Sequence, residues 1–104
     1  MESITLEKLK EKKNELEQST LIIQNDEKIF TVERELLKYC LNSTSDAEDI
    51  RYYKYLDGFY KSKTVESQRL IESNNKELEA TNRRIELVNG AIKLYKLNNK
   101  IEQF

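Results

Sequence analysis

The chain is expected to be all-α, an antiparallel helical hairpin of two long helices joined by a short turn near residues 42–45. Three observations predict this. Apolar residues recur at seven-residue intervals, as in Leu9, Leu16, Ile23, Phe30 and Leu37, the spacing of a helix face that packs on another helix. There is no proline, and the only glycines are Gly58 and Gly90, so nothing forces a helix to break. A polar cluster, Asn42-Ser43-Thr44-Ser45, interrupts the pattern near the middle.

The first helix is predicted from about Ser3 to Leu41. Beside the Leu9 line, Ile22, Ile29 and Leu36 form a second line at the same interval. Two adjacent lines are expected to draw one stripe along the helix. The stripe is thin up to Leu16, where Lys12 and Lys13 hold the complementary positions, and it widens from Leu21 to Leu41.

At the turn, Ser45 followed three residues later by Glu48 reads as a capping box. Asp46, Glu48 and Asp49 suit the positive end of a new helix. So short a connection implies that the helices turn back on each other.

The second helix is predicted to begin near Asp46. Ile50, Tyr53, Leu56 and Tyr60 fall at helical spacing, with Tyr52, Tyr55 and Phe59 beside them. Further on, Ile71, Leu78, Ile85 and Ile92 are seven apart, as are Ala80, Leu87, Leu94 and Ile101. Lys61-Ser62-Lys63-Thr64 is either a polar turn of a continuous helix or a break. Asn89-Gly90 is a second candidate break, after which the C-terminal part would be a third helix. Glycine in a helix interior costs only about 1 kcal/mol, which favours continuity there. The whole chain, 1–104, is read as one helical-hairpin or coiled-coil domain.

Length adds a constraint. At about 1.5 Å per residue the two helices would span roughly 58 Å and 87 Å. Folding at 42–45 sets Leu37 level with Ile50, Ile23 with Thr64 and Leu9 with Leu78, leaving residues beyond about 85 without a partner. That overhang is rich in apolar side chains: Ile85, Leu87, Val88, Ala91, Ile92, Leu94, Tyr95, Leu97, Ile101 and Phe104. Soluble monomers rarely leave so large a patch in water, so it is expected either to fold back or to dock on another chain. Ile85, Val88, Ile92, Leu94, Tyr95, Leu97, Ile101 and Phe104 are therefore the first candidate partner-binding residues. Tyr52, Tyr55 and Phe59 join them, because one neighbouring helix covers only one side of the aromatic band.

Composition narrows the function classes. The chain is 38% hydrophobic and 36% charged, with a formal net charge of −1, against roughly 45–50% and 25% in ordinary globular domains. Such a balance suits helices with much surface and a thin core. The charge is spread evenly, so neither half attracts nucleic acid or an anionic membrane strongly. Arg51, Lys54, Lys61 and Lys63 do interleave with tyrosines in the manner of a base-stacking surface, but Asp49 and Asp57 share the stretch.

There is no histidine, which removes His-based nucleophilic systems and His-containing metal sites. Carboxylates alternate with Lys and Arg at helical pairing distance, as in Asp57 with Lys61 and Glu79 with Arg83, the pattern of a solvated face. Asp46-Ala47-Glu48-Asp49 lacks the length and glycine of a calcium loop. Cys40, the single cysteine, reads as a small packed hydrophobe. No catalytic residue, metal site or cofactor is expected. Nor is a membrane span or a signal peptide, so the chain is expected in the cytoplasm as synthesised.

A chain of this length, folded as a hairpin turning near its middle, resembles the small helical-hairpin proteins of type VII secretion. Its turn reads Asn42-Ser43-Thr44-Ser45, without the Trp-x-Gly signature of that family, and no tryptophan occurs anywhere. The resemblance implies a targeting partner for an export substrate's helical domain, leaving the cell by a route independent of a signal peptide.

The expected function is thus non-enzymatic: an adaptor or chaperone-like partner that co-folds with helices of a larger protein. The alternative is a homo-oligomeric coiled-coil structural subunit of a phage, cytoskeletal or tethering complex. A small regulator of nucleic acid or a polymerase is the third reading.

Overall fold

Both predicted helices form, and they make a helical hairpin. A computed structural model describes the backbone of residues 2–102 and the side chains of residues 4–99. Helix α1 runs Glu2–Ser43 and helix α2 runs Ala47–Glu102. No residue among those described has a positive φ, so the turn at 44–46 is made without a left-handed residue.

Side-chain oxygens close the turn. The Ser43 hydroxyl donates back to the Tyr39 carbonyl one turn earlier in α1, at 2.8 Å. Asp46 caps α2: its Oδ1 accepts the Glu48 N–H at 2.9 Å, and its carbonyl accepts the Ile50 N–H at 3.0 Å. The Asp46 N–H in turn donates to Thr44 Oγ1 at 3.2 Å, and the Thr44 hydroxyl donates to Asp49 Oδ2 at 3.4 Å. The cap is therefore Asp46, one residue later than the expected Ser45 and Glu48 box. A carboxylate at this position also carries the charge that suits a helix N-terminus.

Helix α2 is continuous through both candidate breaks. At the first, the Thr64 hydroxyl donates to the Tyr60 carbonyl at 2.9 Å, so the polar stretch is satisfied within the helix. At the second, Gly90 is an ordinary helical residue with open space where a Cβ would sit. The C-terminal part is thus not a separate third helix.

Two units form along the hairpin. One is Thr20–Ser73, which contains the turn; the other joins Met1–Ser19 to Asn74–Phe104. In the first unit the covered positions that follow the seam are Thr20, Ile23, Glu27, Phe30, Arg34, Leu37 and Leu41 on α1, and Ile50, Tyr53, Asp57, Tyr60, Thr64, Ser67 and Ile71 on α2, while Glu33, Cys40 and Leu56 are partly covered beside them. Both sets alternate in steps of three and four, the spacing of a coiled-coil seam. Phe30 and Tyr60 rings lie 6.0 Å apart. Arg34 Nε donates to Asp57 Oδ1 at 3.0 Å, and Gln68 Nε2 donates to Glu27 Oε1 at 3.3 Å.

In the second unit the covered positions include Leu6, Leu9, Lys13 and Leu16 on α1, and Asn74, Leu78, Thr81, Ile85, Val88 and Ile92 on α2. Asn74 Nδ2 donates to Ser19 Oγ at 3.3 Å. Thr81, 1% exposed, is its most enclosed side chain.

The observed pairs lie about one to two helical turns further along α2 than folding at 42–45 requires. Part of the reason is local: α1 runs on to Ser43 and α2 starts only at Ala47, which moves the centre of the turn. Within the second unit, Ser19 is level with Asn74. The α1 segment 2–19 covers about 27 Å and the α2 segment 74–102 about 43 Å. The unpartnered part of α2 therefore begins near residue 92 rather than 85.

Candidate interaction surface

The seam inside the hairpin is polar for its length. Lys13, Thr20, Glu27 and Arg34 occupy inward positions of α1; Asp57, Thr64, Ser67, Asn74 and Thr81 do so on α2. Among the described residues Leu37, at 7% exposed, is the one fully buried large apolar side chain. Burial of apolar area is the main favourable contribution to folding, and here it is modest.

The apolar residues missing from the seam are on the outside. Ile22, Ile29 and Leu36 do not widen the inner stripe; they are exposed, Ile22 by 62%. Val32 and Tyr39 are exposed as well. Together Ile22, Asn25, Ile29, Val32, Leu36 and Tyr39 step by three and four residues in alternation, a second coiled-coil row. Each lies two residues after an inward position, about 200° around the helix, so this row points away from α2. Five of its six positions are apolar, against four of the seven inward ones. The outward face of α1 is the more apolar of the two.

Helix α2 has a similar outward row in the second unit. Leu87, Gly90, Leu94 and Leu97 keep the same alternating step. Leu87 is 73% exposed, and Leu94 and Leu97 are more than half exposed. Near the turn, Tyr52, Tyr55 and Phe59 form a shorter outward row on α2. The Lys63 ammonium stands 5.4 Å from the Phe59 ring centre, and Phe59 meets Tyr60 edge-on at 5.5 Å.

The candidate partner-binding residues thus separate into groups. Ile85, Val88 and Ile92 are half-buried and belong to the inward row of α2. Leu94, Tyr95 and Leu97 are exposed, as are Tyr52, Tyr55 and Phe59. Ile101 and Phe104 lie outside the residues whose side chains are described. The outward row of α1 was not among the candidates, nor was Leu87. Its signal was present in the seven-residue line of Ile22, Ile29 and Leu36, and the residues three further on, Val32 and Tyr39, mark it as a separate face.

The depressions on this surface are open grooves along single helices. One runs among Gln24, Lys28, Thr31, Val32 and Glu35 of α1, another among Lys61, Val65 and Arg69 of α2. Cys40 is a free, half-buried thiol. No helix among the described residues is long and apolar enough to cross a membrane. Compared with protein-family models, with curated proteins and with solved structures, the chain matches none.

Proposed function

We propose that this chain is a non-enzymatic helical partner, an adaptor or chaperone-like subunit whose hairpin is completed by helices of another chain. One observation carries the reading: α1 turns its more apolar face, Ile22 to Tyr39, away from its own partner helix. A chain folding only for itself gains by placing such residues in the seam. The outward residues also keep a coiled-coil step, which fits a second helix better than a small molecule or a flat surface. Leu87, Leu94 and Leu97 extend the same supply of unmet apolar surface to α2.

The test is recovery of the tagged chain from its native cell, in wild-type form and with Ile29→Asp or Leu94→Asp. Proteins bound to the wild type, an untagged copy included, are identified by mass spectrometry. The substitutions are expected to release them. Undiminished binding by both variants would sink the proposal.

A further inference from the structure

Charge that is even along the chain is uneven around α2. In the unit that contains the turn, Ile50, Asp57 and Thr64 mark the seam. The residues one, four and five positions after each of them turn to one side and the back of the helix. All nine are exposed; Arg51, Lys54, Lys61 and Arg69 are basic, and none is acidic. The opposite side, Tyr52, Leu56, Phe59, Lys63, Glu66 and Leu70, holds one base and one acid.

The fold takes the acids of this stretch off the basic side. Asp49 accepts the Thr44 hydroxyl at the cap, and Asp57 accepts Arg34 Nε across the seam. Glu66 reaches round to Arg69 at 3.1 Å, and Glu48 stands in the first turn of α2. Between these two acids lie Arg51, Lys54 and Lys61, along about 15 Å of helix. On α1, Lys38 lies one turn after Arg34, and on α2, Lys54 lies one turn before its partner Asp57. In an antiparallel pair Lys38 therefore stands beside Lys54, and the row it belongs to, with Gln24 and Thr31, also lacks an acid. The next row of α1 is neutral, with Lys28 against Glu35.

Tyr55 stands among these bases and is 71% exposed. Gly58, with open space where a Cβ would sit, and Ser62 follow it on the same face. A docking helix needs a row of apolar knobs, and a membrane surface needs apolar residues to insert; this face offers Tyr55 and Val65 alone. A single strand of nucleic acid needs a basic track for its phosphates and an open ring on which a base can stack. Both are present.

We propose that the basic face of α2 binds single-stranded nucleic acid without sequence preference. Arg51, Lys54 and Lys61, with Lys38 of α1, contact phosphates, and Tyr55 stacks on a base. This face is separate from the apolar rows of Ile29 and Leu94, so the proposal goes beyond the helical-partner reading and neither depends on the other.

Fluorescence anisotropy of the full-length chain tests it with labelled oligouridine and oligothymidine of about 16 nucleotides. At about 0.7 per phosphate, three or four contacts should weaken binding roughly 20- to 50-fold between about 50 and 200 mM salt. Lys54→Glu with Lys61→Glu should weaken it at least about tenfold and remove most of that salt dependence. Tyr55→Ala should weaken it about fivefold or more with the salt dependence kept, and Tyr55→Phe should bind like the wild type. Lys93→Glu with Lys96→Glu makes the same change of net charge elsewhere on α2 and should bind like the wild type. All these residues are exposed, so helicity by circular dichroism should be unchanged. No binding of either strand by about 100 μM wild type at low salt overturns the proposal, as does an equal loss in the Lys93 and Lys96 variant. Polyglutamate or phosphatidylserine vesicles bound as tightly as the strands, with no effect of Tyr55→Ala, would give the face to an acidic protein or a membrane instead.

Discussion

Arg34 on α1 donates through Nε to Asp57 on α2 at 3.0 Å, and both side chains remain 29% exposed. The pair sits at inward positions of the seam, between the Phe30 and Leu37 levels of α1. There it joins opposite charges across the hairpin while shutting out apolar packing. A pair this wet contributes little net stability, but losing one member leaves a partly desolvated charge behind.

For that reason Arg34→Leu and Asp57→Leu should each destabilise the hairpin by about 1 kcal/mol, while the double substitution should restore or exceed wild-type stability. Urea unfolding followed by circular dichroism supplies the cycle. Additive losses would show that the two residues are not coupled.

Leu36 and Leu37 are chain neighbours with opposite surroundings, one more than half exposed and the other buried. Leu37→Ala should cost about 2 kcal/mol, whereas Leu36→Ala should change stability by less than about 0.5 kcal/mol. Thermal unfolding of dilute protein measures both. Equal losses would mean that both lines lie in the seam.

The N-terminal cap of α2 offers a third comparison. Asp46→Ala should lower stability by about 1 kcal/mol, because the Glu48 N–H loses its acceptor. Ser45→Ala should have almost no effect. The reverse order would return the cap to Ser45.

Gly90→Ala should raise stability by about 0.8–1 kcal/mol, since the residue is helical and an added Cβ meets nothing within 4 Å. Gly58→Ala, equally open, is the matched control. A loss of stability at Gly90 alone would place another surface against that side of α2.

Much of the fold is legible in the residues themselves. The seven-residue recurrence from Leu9 to Leu37 predicts α1, and the polar run at Asn42 locates the turn to within two residues. Continuity of α2 is less legible, because Lys61-Ser62-Lys63-Thr64 carries no apolar signal. The hydrogen bond from Thr64 to the Tyr60 carbonyl is visible only once the helix is built. The candidate surface is legible in part. Leu94 and Leu97 stand out as apolar residues with too little α1 to cover them, while Ile29 and Leu36 pass for core because apolar periodicity does not say which neighbour a face meets.

Sequence alone determined that this protein is helical, turns near residues 42–45 and carries a surplus of apolar side chains. Helix geometry depends on residues within a turn of each other, so periodicity and capping signals suffice for it. Tertiary structure decided which rows point inward and which outward, and hence that Glu27, Arg34 and Asp57 share the seam while Ile22, Ile29 and Leu36 do not. That choice belongs to the register between α1 and α2. Moving the centre of the turn by a residue or two shifts every cross-helix pair, and no local pattern records it.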